Sequence, residues 1–138
     1  MRPPVPASAV VDPYAAARQQ CINETNSYRA RLGLPALVPN PGKYACTDVD
    51  ARGDAQNGTV HGGSGKCDFG AQNECPSWPG PAGQMVSRCL ASMFAEGPGE
   101  PYSAHGHYIN MTSKEYRSLA CGFFEMNGRV WLVQNYFR

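Results

Sequence analysis

The chain has 138 residues, 42% of them hydrophobic, and 12 Lys plus Arg against 11 Asp plus Glu give a formal net charge of +1. This length is typical of one domain with a core of its own. Charges of both signs are scattered along the chain, without the basic stripe that nucleic-acid-binding proteins carry. No apolar run approaches the roughly 18 residues that span a bilayer. We therefore expect neither nucleic-acid binding nor a membrane span.

The cysteines are even in number and irregular in spacing, without a Cys-x-x-Cys pair: Cys21, Cys46, Cys67, Cys75, Cys89 and Cys121. This pattern favours disulfides over a zinc knuckle or a redox motif. Disulfides indicate an oxidising compartment, so we expect a secreted protein, extracellular or periplasmic. The sequence does not select one pairing, although Cys67 and Cys75 are close enough for a local bridge. The alternative is a cytosolic protein with buried free thiols.

The amino-terminal 13 residues contain four prolines and few large apolar side chains. They are predicted to form an extended Pro-rich arm, and residues 14–138 to form a single domain. The arm has neither the charged start nor the apolar stretch of a signal peptide. If the protein is exported, we expect this sequence to be the mature form with its leader removed.

Three segments have the apolar spacing of helices. The first begins near Tyr14, continues to Leu32 and is closed by Gly33. The second, weaker in pattern, covers about Lys43 to Ala55. The third covers about Ala82 to Glu96 and carries the clearest apolar stripe.

Between the second and third helices, residues 57–81 are rich in turn residues and are predicted to form an irregular, functional loop. A further strand is possible around Ser103 to Asn110. The carboxyl end, rich in aromatic and β-branched residues, predicts a hairpin turning at Asn127-Gly128. A two-residue turn pairs Met126 with Arg129, Phe124 with Trp131 and Gly122 with Val133. These elements together predict an α+β layered domain.

The three histidines lie in loop or loop-to-strand contexts: His61, His105 and His107. In an extended segment His105 and His107 would point the same way and face one ligand or metal. Glu74 lies in the glycine-rich loop, while Glu96 and Glu100 flank the end of the third helix. Such carboxylates and imidazoles can bind a divalent ion or run acid-base chemistry, if the loop folds over the helix end. The alternative is a set of hydrogen-bonded or solvated side chains.

Several segments together resemble the CAP superfamily, which includes the cysteine-rich secretory, antigen 5 and pathogenesis-related proteins. The resemblance covers about residues 20–138 and is carried by Asn26-Ser-Tyr-Arg29-Ala-Arg-Leu-Gly33-Leu-Pro35-Ala-Leu37, Met93-Phe-Ala-Glu96, Gly106-His107-Tyr108-Ile-Asn-Met111, Ala120-Cys121-Gly122 and Leu132-Val-Gln134-Asn135-Tyr136-Phe137. The stretch after Met111 is similar to bacterial members.

This resemblance implies an α-β-α sandwich, with three or more helices around a small antiparallel sheet. It also implies a cleft lined by two histidines and two acidic residues, which binds zinc (Zn) in some members. Matched residue by residue, His61 and His107 would be the metal ligands and Glu96 the helix-end carboxylate. The family's Gly-Glu-Asn aligns best with Ala71-Gln72-Asn73, which places neutral Gln72 at the fourth position, with Glu74 as a possible substitute. His105 has no assigned role.

Three functions are compatible with these residues. The favoured one is a secreted CAP-type domain whose cleft binds a divalent metal and an extracellular ligand, such as a lipid, sterol, peptide, cell-wall component or protein partner. The second is a metal-dependent or acid-base hydrolase that uses Glu96, His107 and Glu74. The third is a disulfide-stapled interaction module whose cleft has lost its function. Recognition is favoured over catalysis because the sequence shows no dedicated oxyanion device for an activated water.

Overall fold

The computed structural model describes residues 11–138. This range contains α1 (Ala15–Arg31), β1 (Val38–Pro39), a 3-10 turn (Pro41–Lys43), α2 (Tyr44–Asn57), β2 (Ala71–Pro79), α3 (Ala82–Ala95), α4 (Tyr102–Met111), β3 (Ser118–Met126) and β4 (Arg129–Phe137). Of the arm predicted for residues 1–13, residues 1–10 lie outside the described part of the chain. Among residues 11–138, no helix has the length and apolar character needed to cross a bilayer.

The four strands form one mixed sheet in the order β1-β3-β4-β2. β4 pairs antiparallel with both β2 and β3, and the short β1 runs parallel to β3 at one edge. The predicted hairpin is confirmed in register, with Met126 opposite Arg129. Asn127 and Gly128 both have positive φ, which a tight turn of this kind requires.

Alternate residues of the hairpin face two different helical layers. Leu119, Cys121 and Phe123 of β3 pack in the main core with α1 and α3. On the opposite face, Trp131 and Val133 of β4 pack against α2. This period-two burial places helices on both sides of the sheet, so the predicted α-β-α sandwich is confirmed.

The approach of α2 to the sheet depends on Gly122 in β3. A β-carbon at this position would lie 2.4 Å from the backbone carbonyl carbon of Thr47. Any larger residue would therefore push α2 away from the sheet. Since α2 carries side chains that hold the site described below, this contact also sets where the site lies.

Three disulfides connect the layers: Cys21–Cys121 joins α1 to β3, Cys46–Cys67 joins α2 to the following loop, and Cys75–Cys89 joins β2 to α3. No cysteine is left free within residues 11–138, so the disulfide prediction is confirmed. The local bridge considered between Cys67 and Cys75 is wrong. Cys67 instead pairs with Cys46 of α2, and Cys75 pairs with Cys89 of α3.

Two predicted elements are wrong. The second half of the 57–81 loop is the strand β2, whose buried residues include Gln72, Asn73 and Glu74. Because its buried side chains are polar, β2 lacks the alternation of apolar and polar residues by which a strand is recognised in a sequence. The possible strand around Ser103 to Asn110 is the helix α4, which packs against α3 and β2. Tertiary packing there overrides the β-propensity of its aromatic and branched residues.

Candidate functional site

His61 lies in the loop that joins α2 to β2 and has a left-handed backbone conformation, with φ of 58°. Its backbone N–H donates to Oε1 of Glu74 at 3.0 Å. Its ring Nδ1 lies 2.6 Å from Oε1 of Gln72. Both contacts are made to β2, so the strand that the sequence did not reveal fixes this histidine.

A directional chain of hydrogen bonds determines which atom of Gln72 meets His61. Oδ2 of Asp50 on α2, which only accepts when ionised, receives a hydrogen bond from Nδ2 of Asn135 at 3.0 Å. Oδ1 of Asn135 is therefore turned toward Nε2 of Gln72, at 2.7 Å. Gln72 then offers Oε1 to His61, so Nδ1 of His61 is the donor. Asp50, Asn135 and Gln72 together set the tautomer of this ring.

His107 is held in the same way by a different group. Its Nδ1 lies 2.6 Å from Oε2 of Glu96, at the carboxyl end of α3. The other oxygen, Oε1, accepts the backbone N–H groups of His107 at 3.0 Å and of Tyr108 at 3.3 Å. Glu96 thus fixes both the ring of His107 and the helix that carries it.

Each histidine is left with Nε2 as its available ring nitrogen. A neutral imidazole that donates from Nδ1 keeps a lone pair on Nε2, the form in which histidine binds metals or accepts a proton. The two rings differ in the charge behind them, because His107 donates to a carboxylate and His61 to an amide. A carboxylate that accepts a hydrogen bond from a histidine makes that ring a stronger electron donor to a metal. Of the two rings, only that of His107 has such a partner.

His61 and His107 line a common cleft of about 170 Å³, together with Gln72, Asn73, Tyr102, Ser103, Gly106 and Asn110. A second cavity of about 420 Å³ adjoins it and shares His61, Gln72, Tyr102 and Asn110. Asn110 donates to Oδ1 of Asn73 and accepts from the Tyr102 hydroxyl, both at 3.0 Å. This amide pair joins α4 to β2 and lines the cleft that contains both histidines.

Glu74 lies behind the cleft rather than in it. Its side chain is buried, and burial raises its pKa to about 9, with the neighbouring carboxyl of Asp54 on α2 adding to the effect. Glu74 is therefore protonated at neutral pH. Oε2 of Glu74 and Oδ2 of Asp54 are both buried, and neither has a hydrogen-bond partner among the described residues. Oδ1 of Asp54 accepts the backbone N–H of Gly62 at 3.0 Å. This carboxyl pair anchors the loop that carries His61.

The remaining candidates lie outside the cleft lining. Nδ1 of His105 donates to the backbone oxygens of Glu96 and Gly97, at 2.7 and 2.8 Å, and so caps the end of α3. In a helix, residues two apart point in nearly opposite directions, which separates His105 from His107. Glu100 is exposed. The expectation of a joint His105–His107 face fails because this segment is helical.

The donor set for a metal in this cleft is small. Within the described range, no group of three or more His, Cys, Asp or Glu side chains is arranged to hold a metal ion. His61 and His107 can supply two imidazole nitrogens, whereas zinc sites in proteins have three or four protein ligands. Gln72 contributes an amide oxygen that is already engaged by His61. The described residues of the cleft therefore supply fewer ligands than a protein zinc site has.

Two important residues, Asp50 and Asp54, were missed by sequence reasoning. They lie four apart on α2 and share the buried face of that helix with Thr47 and Ala51. Acidic residues on the apolar face of a predicted helix are costly unless paired, so their spacing was a usable signal. Asn135 was noted only as part of a family-like strand, and its role required the sheet register.

Solved structures of similar fold are found, although no protein-family model and no curated protein matches the sequence. An extracellular SCP-domain protein of Bacillus anthracis is 17% identical, with a TM-score of 0.62 over 99% of this chain, which spans 45% of that protein. NaASP2, solved with Zn2+, is 16% identical, with a TM-score of 0.71 over 96% of this chain and 83% of its own. An outer surface protein of Borrelia burgdorferi is 13% identical, with a TM-score of 0.65 over 93% and 96% of the two chains.

These likenesses cover 93–99% of this chain. The identities are low, so they establish architecture rather than activity. The protein therefore has the fold of the CAP superfamily.

Proposed function

We propose that this protein is an extracellular ligand-binding domain of the CAP type. Its cleft presents Nε2 of His61 and Nε2 of His107 to a divalent metal, zinc in the first instance, and to a small extracellular ligand. The observation that carries this proposal is the matched support of the two rings, each with Nδ1 2.6 Å from a side-chain oxygen. Rings fixed in this way on both walls of one cleft are preorganised for a shared partner.

The proposed metal is held weakly and exchangeably. Two neutral imidazoles give zinc fewer protein ligands than structural or catalytic sites have, so water or the ligand completes the coordination. Because Gln72 is neutral, the site lacks the negative charge that a carboxylate at this position would place beside His61. Such a site suits a metal that bridges the protein to an anionic or carbonyl group of the ligand. The Zn2+ in the NaASP2 structure supports this choice of metal.

The proposed setting is outside the cell or in the periplasm. Three disulfides need an oxidising compartment to form and persist. The SCP-domain protein of Bacillus anthracis is described as extracellular. The cleft and its adjoining cavity of about 420 Å³ admit a small molecule, the headgroup of a lipid or a peptide side chain.

Hydrolysis is less well supported by the positions of the carboxylates. Glu74 is buried behind His61, and both oxygens of Glu96 are occupied by His107 and Tyr108. Neither carboxylate is thus free to activate water in the cleft. We propose recognition rather than catalysis as the function.

The proposal is tested by NMR titration of the metal-stripped protein with zinc, observing the ring nitrogens of all three histidines. We expect the Nε2 signals of His61 and His107 to shift together, while those of His105 do not move. Zinc-dependent shifts confined to His105, or no saturable shift, would contradict the proposal and favour an interaction module with a non-functional cleft.

A further inference from the structure

A third cavity lies between the loop after α1 and the loop before β3. It has a volume of about 530 Å³, within the range of small-molecule sites. It shares no lining residue with the cleft of His61 and His107, and it shares Tyr116 alone with the cavity of about 420 Å³ that adjoins the cleft. Its lining is notable for its charge: Arg29, Lys114 and Arg117 contribute three cations, and no carboxylate lines it.

Arg29 is the buried cation of this cavity, with its side chain 1% exposed. Nε donates to the backbone oxygen of Pro35, and Nη1 donates to those of Met111 and Ser113, at 2.9 to 3.0 Å. Nη2 donates to none of the described residues, and no carboxylate pairs with the guanidinium. Burial lowers the pKa of Arg29 because its charge is not compensated.

Lys114 and Arg117 extend the positive charge to the rim. Both are exposed, and neither forms an ion pair within residues 11–138. The nearest acidic residue in sequence, Glu115, is paired with Arg138 at 3.0 Å and lines the other cavity instead. The charge of this pocket is therefore not neutralised by the protein itself.

The rest of the lining is apolar or aromatic. Val38, on the edge strand β1, is 58% exposed, and Pro35, Ala36 and the ring of Tyr116 complete the wall. An inorganic anion would leave this apolar surface in contact with water. A ligand that joins a negative group to a compact apolar body satisfies both parts of the pocket.

We propose that this cavity, hereafter the Arg29 pocket, binds a small aromatic carboxylate. The carboxylate meets Nη2 of Arg29 and the rim cations, and the ring packs on Val38 and Tyr116. A carboxylate suits this site because Nη2 of Arg29 supplies a charge-assisted hydrogen bond, and Lys114 and Arg117 add attraction at the rim. The proposal is independent of metal binding in the cleft.

The test uses naphthalene-2-carboxylate as the probe and naphthalene-2-carboxamide as its neutral counterpart, with binding measured by calorimetry at low ionic strength. Arg29 is left unchanged because it holds three backbone carbonyls. The double variant Lys114→Gln/Arg117→Gln removes the rim charge, and Arg52→Gln/Arg88→Gln on exposed helix positions makes the same change in net charge elsewhere.

We expect the carboxylate to bind the wild type at least about tenfold more tightly than the carboxamide, as loss of charge-assisted hydrogen bonds predicts. The rim variant should lose about tenfold in affinity for the carboxylate, and the control variant should lose little. Equal affinity for the two probes, equal loss in both variants, or no saturable binding to correctly disulfide-bonded wild type would overturn the proposal. Inorganic phosphate that competes as well as the carboxylate would also overturn it.

Discussion

Oε1 of Gln72 lies 2.6 Å from Nδ1 of His61, and this amide stands where a carboxylate would be expected from the family resemblance. The partner histidine, His107, has a carboxylate at the same distance. The cleft therefore has one charged and one neutral support for its two histidine rings. In the proposed metal site, this asymmetry is expected to set the affinity together with the histidines.

Replacing Gln72 with Glu is expected to change stability and metal binding in opposite directions. A carboxylate oxygen would face Oδ1 of Asn135 and would lie near Oδ2 of Asp50, which is 3.4 Å from Nε2 of Gln72. We expect Gln72→Glu to lower the free energy of unfolding by about 1–3 kcal/mol. The added charge should tighten zinc binding about tenfold.

Urea denaturation and zinc calorimetry at pH 7 measure both effects, with exposed Gln84→Glu as the control of equal charge. Unchanged stability in Gln72→Glu would contradict this account. It would show that the order of donors and acceptors from Asp50 through Asn135 to Gln72 does not affect the free energy of unfolding.

The tautomer of His61 is expected to depend on Asp50, which it does not touch. Asp50→Asn keeps the size of the side chain but adds a donor, so the order of donors and acceptors through Asn135 and Gln72 is no longer fixed. We expect the nitrogen signals of His61 to move toward a mixture of tautomers. His107, held by Glu96, serves as the internal reference in the same spectrum. A single unchanged tautomer for His61 would contradict this account.

Much of the fold could be predicted from local signals. The hairpin follows from Asn127-Gly128, because this dipeptide adopts positive φ at both turn positions and so sets the register. The stripe on α3 predicts its bounds closely, since its apolar side chains all face one core. Met85 and Leu90, for example, are fully buried where the helical period places them.

The site was harder to predict because its strand is polar. β2 buries Gln72, Asn73 and Glu74, and each depends on partners distant in sequence, such as Asn135 and Asp54. No local pattern reveals those partners. The sequence allows a strand where α4 lies, because the packing of this segment on α3 and β2 leaves no local signal. The family resemblance located His61 and His107, but not the amide chain behind them.

The stability of the protein should fall as pH rises through the titration range of Glu74. Its pKa is about 9 in the folded state against 4.5 as the ordinary value, so the native state holds the proton more tightly. Stabilisation by the protonated form is complete below about pH 4.5 and is lost as pH approaches 9. This one group contributes a slope of at most about 1.4 kcal/mol per pH unit.

Glu74→Gln keeps a neutral side chain at all pH values and should flatten this dependence. Urea denaturation of both proteins at pH 5, 7 and 9 provides the comparison, with exposed Glu100→Gln as the control. Parallel pH profiles for the wild type and Glu74→Gln would exclude a raised pKa of Glu74 in the folded state.

The three disulfides are expected to contribute unequally. Cys21–Cys121 closes a separation of 100 residues and Cys75–Cys89 one of 14. Loop-closure entropy then predicts stabilisation of about 4.7 and about 3 kcal/mol. We expect the Cys21→Ala/Cys121→Ala variant to lose more free energy of unfolding than Cys75→Ala/Cys89→Ala in guanidinium titrations. The reverse order would mean that packing around these cysteines outweighs chain entropy.

The central claim, a shared metal site at His61 and His107, is tested most directly by zinc calorimetry on metal-stripped, correctly disulfide-bonded protein. The wild type is compared with His61→Ala/His107→Ala and with the single variant His105→Ala. The account predicts one saturable site in the wild type and in His105→Ala, weakened at least about tenfold in the double variant. Equal binding by the wild type and the double variant, or no binding to the wild type, would contradict it.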